Sequence, residues 1–333
     1  MSTTLRHPDG LVHIEQLKTG KKKISVELLN KKMFVPRSIC ETSYPVDLIK
    51  QIMNVRGLAY LCDEIMRDEK PTYVQRSFKY GILSYIGEDS FDKKKILDFG
   101  CGSGSSTMIL ARMFANVEIV GVELEEELLS IAKMRAKHYK FSNVSFIRSP
   151  SGDNLPSELE DFDYVVLSAV YEHLLPNERK NLLPKIWAHV KPGGILFINQ
   201  TPYRYSPIES HTTGLPLINY LPGKVTLHLA RRFSKRVKPD DSWEALLRKG
   251  ICGATVKEIM AVLSKTPYKP VLLEPERLGI KDRIDLWYHL SSAIRFLTIK
   301  KFLMYCLKIF KLIFGRIITP SLSLAIKKSY LNR

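Results

Sequence analysis

Between residues 95 and 200, short apolar runs alternate with longer segments whose apolar positions recur every three to four residues. The first pattern reads as buried strand and the second as amphipathic helix. On that reading strands fall at 95–99, 118–123, 144–148, 164–167 and 195–200, with helices near 106–114, 125–139 and 176–190 between them. Regular strand–helix alternation is the mark of βαβ units, so the predicted class is α/β, with a doubly wound and mostly parallel sheet. Pro192-Gly193-Gly194 predicts a turn before the last of these strands. Upstream, Leu48, Ile49, Ile52, Met53, Leu58, Leu61 and Ile65 predict one helix over 46–66. Pro71 opens a second running toward Tyr85, since proline suits a first helical turn. Residues 1–44, polar with scattered apolar positions, predict a loosely ordered arm.

After Thr201 the rhythm breaks. Four prolines between 202 and 222 predict a long functional loop. Residues 243–269 look helical with an interruption at Gly250 and Gly253, and 270–274 reads as a returning strand. The organisation expected is therefore an N-terminal arm with helices (1–90), a core (91–201), an insertion with the end of the core (202–280) and a basic tail (281–333).

The tail combines two patterns. Phe296, Ile299, Leu303, Cys306, Leu307, Phe310, Ile313, Phe314 and Ile317 recur at helical spacing, while Lys301, Lys308 and Lys311 share the other face and Arg316 flanks it. No run approaches the ~18 uncharged residues of a spanning helix. A basic amphipathic helix is instead expected to lie in the interface of an anionic bilayer, or else to pack on its own domain.

Charge sharpens this picture. The chain of 333 residues carries a formal +17, and Lys224–Lys238 supplies six of those charges and Lys281–Arg333 nine, while Lys94–Gln200 is nearly neutral. The excess lies outside the predicted core and implies a polyanionic partner. Five cysteines, widely spaced and never in a CxxC pair, argue against a disulfide framework or a zinc ribbon and suit a reducing cytosol. The polar N-terminus carries no apolar run of the secretory type.

The chemistry is concentrated at the first strand, which ends in Ile96-Leu97-Asp98-Phe99-Gly100-Cys101-Gly102-Ser103-Gly104 just before a helix. Glycines there let a ligand approach the backbone, and the helix start offers free N–H groups. Glu123 closes the second strand, where an acid can accept both ribose hydroxyls. A nicotinamide fingerprint needs glycines at i, i+2 and i+5, and counting from Gly100 the third position is Ser105. The GxGxG spacing with a preceding acid resembles motif I of class I S-adenosylmethionine-dependent methyltransferases. Phe162-Asp163-Tyr164-Val165 and Val190-Lys191-Pro192-Gly193-Gly194-Ile195-Leu196 continue the likeness in order. The resemblance implies a seven-stranded Rossmann-like fold and S-adenosylmethionine as cofactor, held by Asp98, Gly100, Gly102, Gly104 and Glu123. It also implies an adenine-side acid after the third strand, a place Asp153 could fill, although the stretch there is about one residue longer than usual.

Acceptor-side residues in this family follow the fourth strand, here Leu167-Ser168-Ala169-Val170-Tyr171-Glu172-His173-Leu174. This is neither the N/D-P-P-Y/F of amide methylation nor the Pro-Cys of cytosine C5 enzymes, and it lacks the carboxylate of a catechol-type magnesium site. No metal is therefore expected. Glu-His here is similar to small-molecule methyltransferases of the quinone and sugar type. His173 is either a general base or a histidine capping the next helix; His211, in the tyrosine- and arginine-bearing loop 203–216, is a second candidate base. The expected function is O-methylation of a small or lipid-linked acceptor (glycan, polyprenyl or quinone-like), in the cytoplasm or peripheral on the cytoplasmic membrane face. An RNA methyltransferase using the basic patches, or a non-catalytic S-adenosylmethionine-binding subunit, are the alternatives, and nucleic acid is the less favoured partner because no RNA-binding module is recognisable.

Overall fold

Val12 and Ile14 face inward with polar neighbours between them, and so does Ile24, a period-two pattern that builds a sheet where an arm was expected. In the computed structural model, which describes residues 2–30, 33–72, 74–290 and 297–330, the chain begins with four antiparallel strands in chain order. These are β1 (Ser2–His7), β2 (Gly10–Gln16), β3 (Lys22–Leu28) and β4 (Ile39–Thr42). Each contributes few inward residues, so the alternation is too short to stand out in sequence; it becomes stable by closing over the next two helices. Those are α1 (Val46–Arg56) and α2 (Leu61–Glu69), two helices where one was predicted. Gly57, at φ +78°, ends α1, and a short turn redirects the chain. Pro71 lies in a turn, and α3 (Val74–Leu83) begins after it.

The central elements follow the sequence reading closely. They are β5 (Lys95–Phe99), α4 (Ser105–Met113), β6 (Glu118–Glu123), α5 (Glu126–Tyr139), β7 (Val144–Arg148), β8 (Phe162–Ser168), α6 (Pro176–Ala188) and β9 (Val190–Pro202). The predicted Pro-Gly-Gly turn is a bulge inside β9: pairing jumps from Phe162–Val190 to Tyr164–Ile195. Beyond the loop come α7 (Gly223–Phe233), α8 (Trp243–Arg248), α9 (Val256–Leu263), β10 (Lys269–Leu272), α10 (Arg283–Leu290), α11 (Leu297–Phe314) and β11 (Ser321–Ser329). The main sheet has seven strands in the order β10-β11-β9-β8-β5-β6-β7. Strands β5 to β9 run parallel, and β11 is antiparallel to both its neighbours. The strand order reverses at β5, so a cleft opens at the carboxyl ends of β5 and β8.

Two expectations about the C-terminal segment change. It is not a tail: β11 sits between β9 and β10, with Leu322, Leu324, Ala325 and Ile326 at most 5% exposed. Lys328 Nζ is buried and donates to the carbonyls of Trp187, Ala188 and Val190, closing the end of α6. The orientation of α11 is also informative (Phe296 lies outside the described residues). Its lysines turn toward α10: Lys308 pairs with Asp285, Lys311 Nζ lies 2.7 Å from Asp282, and Lys300 Nζ caps the Trp287 and Tyr288 carbonyls. Burial, then the Arg76 charge, pulls Lys300 down to about 8. Ile299, Phe302, Ile309, Leu312, Ile313 and Phe314 consequently point outward, each more than half exposed. No helix among the described residues is long and apolar enough to cross a membrane.

Leu324→Ala should destabilise the fold by about 2–5 kcal/mol, the usual cost of a cavity beneath a fully buried leucine. Urea unfolding measures it, and a loss under 1 kcal/mol would contradict a central β11. A chain ended after Leu290 should show no cooperative unfolding transition, which thermal circular dichroism would reveal.

Candidate active site

The three glycines after β5 are required for different reasons. A Cβ at Gly100 would lie 2.6 Å from Val170 Cγ2, and one at Gly104 would lie 2.7 Å from Ala132 Cβ. A Cβ at Gly102 would meet nothing within 4 Å, so that residue faces open space. All three have positive φ, which bends the loop tightly into the start of α4. Asp98 lies beneath it, 1% exposed, its Oδ2 accepting from Ser106 Oγ and Thr107 Oγ1, both at 2.7 Å. Burial pushes its carboxyl up to about 6 against those two hydroxyls, and the Glu123 charge adds to the rise. Glu123 Oε2 accepts from the Gly102 N–H at 2.8 Å, while Oε1 accepts from Leu124 and Glu125. The acid closing β6 thus holds the glycine loop itself.

Two cavities meet over this loop at Gly100 and Ala169. The larger, about 350 Å³, is walled by Val122, Glu123, Ser149, Val170 and His173. The smaller, about 150 Å³, is lined by Arg56, Glu64, Arg67, Phe78, Ser106 and Gln200. Joined at Gly100, the two cavities suit an elongated ligand, and charged side chains of both signs line each of them. Ala169, just after β8, and Gln200, two residues before the end of β9, are both left-handed at this junction without being glycine, at φ +54° and +63°. Such backbone strain collects at functional sites.

Asp153 stands apart. It is exposed, its carboxylate accepts from Ser151 Oγ, and the cavity wall there is Ser149, Ser151 and Gly152. His173 reaches the cavity rim, and His211, from the loop after β9, comes to 5.7 Å from it between ring centroids. His173 Nδ1 lies 2.7 Å from the Arg248 carbonyl, so this nitrogen carries the proton and Nε2 presents a lone pair.

Sequence reasoning missed the support beneath the loop. Arg135, fully buried, donates from Nη1 to Ser103 O and Oγ and from Nη2 to Glu64 O and Oε1, at 2.8–3.1 Å. Ser103 Oγ also donates to Glu64 Oε1. Burial alone would raise the Glu64 carboxyl, but Arg135, Arg67, Ser103 and Arg56 together bring it down to about 2. An arginine inside a predicted helix gives no sign in sequence that it points inward, because its partner is on α2.

The reversed seven-stranded sheet, the glycine loop and the acid closing the second strand define a class I S-adenosylmethionine-dependent methyltransferase domain, whose cofactor is S-adenosylmethionine. Residues 96–194 match the family described as a methyltransferase domain. The carboxy-S-adenosyl-L-methionine synthase of Photobacterium profundum is 27% identical over 157 residues, 45% of this chain and 63% of that protein. The ubiquinone biosynthesis O-methyltransferase of Acinetobacter baylyi is 29% identical over 115 residues, 34% of this chain and 47% of that one. The chain thus spans less than two thirds of the length of these curated relatives. Among solved structures, an O-methyltransferase family protein from Burkholderia thailandensis aligns with a TM-score of 0.45 at 13% identity, covering 84% of this chain and 64% of its own.

Two stability measurements test this site. The raised Asp98 carboxyl binds its proton more tightly in the folded than in the unfolded chain, so its contribution is full below about pH 4 and lost as pH rises through about 6. The unfolding free energy of the wild type relative to Asp98→Asn should therefore fall between about pH 4 and pH 6; a flat difference would contradict the buried placement. Arg135→Met leaves Glu64 and Asp68 without their buried cation and should cost about 3–5 kcal/mol, read by denaturant unfolding.

Proposed function

We propose that the protein transfers a methyl group from S-adenosylmethionine to an oxygen of a small, lipid-linked acceptor. The observation that carries this reading is an apolar groove of about 700 Å³ between α11 and the loop after β9. Tyr205, Ile208 and Tyr220 line one side, and Leu303, Leu307 and Phe310 the other. Its size and lining suit a long hydrocarbon chain. Ser210 lines the groove, and its neighbour His211 faces His173 on the rim of the donor cavity. One short loop therefore joins a place for an apolar tail to a place for a reacting head. The ubiquinone O-methyltransferase name among the relatives agrees with an acceptor of this chemistry.

In the reaction the acceptor oxygen attacks the sulfonium methyl. The C–S bond breaks as the O–C bond forms, S-adenosylhomocysteine departs, and the hydroxyl proton passes to a base or to water. The enzyme's task is chiefly alignment. Val170 and Ala169 wall the cofactor, and the facing imidazoles of His173 and His211 stand where an acceptor hydroxyl enters. The outward apolar face of α11 supports a peripheral position on an anionic bilayer, where such an acceptor would reside. Exposed Lys301 and Arg316, with Lys224, Arg231, Arg232 and Lys235 on and beside α7, supply the charge.

Incubating the protein with methyl-labelled S-adenosylmethionine and a whole-cell extract should move label into the organic phase. Label found only in RNA or only in water-soluble products would contradict the lipid-linked acceptor. Phe302→Glu with Leu312→Glu should abolish co-sedimentation with anionic vesicles while leaving the melting temperature within a few degrees of wild type. A wild-type protein that ignores such vesicles at low salt would refute the membrane position.

A further inference from the structure

Glu172 and His173, in the turn after β8, and His211, in the loop after β9, each offer one ligand atom, and these atoms all lie within 4.8 Å of one another. Among the described residues they are the one group of histidine, cysteine and carboxylate side chains that meets in this way. Proximity alone is a weak sign; three further features of the same side chains point to a ligand.

The first is an orphaned carboxylate oxygen. Glu172 is fully buried, Oε2 accepts from Thr201 Oγ1 at 3.1 Å, and Oε1 has no hydrogen-bond partner. Leaving a buried carboxylate oxygen without a donor or a cation is costly. The buried Arg179 does not serve it: its nitrogens donate to the carbonyls of Leu174, Gly253 and Glu172 itself, and it pairs with Glu258. The second is the tautomer of His173. Its Nδ1–H donates to the Arg248 carbonyl, the orientation that metal-bound imidazoles take when the other nitrogen binds the ion. The third is the backbone at Gly250, φ +91°. A Cβ there would lie 2.9 Å from His211 Cδ2 and 3.1 Å from Glu172 Cγ, so both side chains close in against bare backbone.

We propose that Glu172, His173 and His211 bind a divalent first-row transition-metal ion on the acceptor side of the donor cavity. Two imidazoles and one carboxylate favour zinc, cobalt or iron(II) over magnesium or calcium, which prefer oxygen ligands alone. Three protein ligands leave positions open for the oxygens of an acceptor. The site revises the expectation that no metal is bound. Its role in holding an acceptor oxygen rests on the methyl-transfer reading; its affinity for the ion does not.

The test uses the intact protein, stripped with chelator and dialysed, without S-adenosylmethionine. Cobalt(II) alone is titrated in and followed by its visible d–d absorption. One equivalent should bind, with bands of protein-bound cobalt that zinc(II) displaces. His211→Ala, at an exposed side chain, and His173→Ala should each weaken cobalt binding by about 100-fold or more, beyond what losing a supporting outer partner costs. His228→Ala, on the exposed surface of α7, should leave it unchanged. No stoichiometric binding, or binding that both His173→Ala and His211→Ala retain, overturns the proposal. Calorimetry with S-adenosylmethionine on the same variants separates the two readings: retained cofactor affinity with lost cobalt binding supports this site. Failure of the wild type to bind S-adenosylmethionine while it binds cobalt sinks the methyl-transfer reading and leaves the metal site standing.

Discussion

The donor site rests on one enclosed cation. Arg135, on α5, has no solvent contact, and its guanidinium spans Ser103 in the glycine loop and Glu64 on α2, with Asp68 at 3.9 Å. A buried charge is costly unless it is paired, and the four hydrogen bonds from Nη1 and Nη2, with the Asp68 charge beside Nε, hold the loop, α2 and α5 in a single relative position. Asp68 extends the same constraint outward by accepting from the hydroxyls of Tyr44 and Tyr139. The N-terminal sheet, through Tyr44 at its edge, is thereby tied to the cofactor loop. What was expected to be a loosely ordered arm packs behind α1 and α2, the helices that bring Arg56, Glu64 and Arg67 to the smaller cavity.

The core was readable because its information is local. The strands ending at Phe99, Glu123 and Arg148 carry short, mostly apolar runs, and the glycine loop announces its own geometry. The rest depends on distant partners. β1 to β4 bury few residues each, and their alternation acquires meaning only against α1 and α2. β11 was hidden because Leu322, Leu324 and Ile326 form only a short run beyond the helical stripe that ends at Ile317, and their pairing partner is β9, more than a hundred residues earlier. Asp153 shows the opposite failure: a residue of the right type at nearly the right spacing, whose side chain is exposed and accepts from Ser151 Oγ instead of lining the cavity.

Helix α11 inverts the usual arrangement of a surface helix. Its lysines are spent on α10, where Asp282, Asp285 and two terminal carbonyls take three of them, and its phenylalanines and leucines remain outside. The same helix walls the apolar groove that leads toward His211. Because the chain must return through β11 to complete the sheet, this exposed face is anchored at both ends to the catalytic domain. In the proposed function, surface attachment and acceptor entry share this one element.

The central claim is that the loop from Gly100 to Gly104 receives S-adenosylmethionine across both cavities. Titrating S-adenosylmethionine into the intact protein by calorimetry tests it most directly, beside a Gly102→Leu variant whose new side chain enters the space that is open above the loop. The account predicts saturable binding at one site in the wild type and none in a variant that still unfolds cooperatively. A folded wild type that takes up no S-adenosylmethionine, or a folded Gly102→Leu protein that binds it equally well, would contradict it.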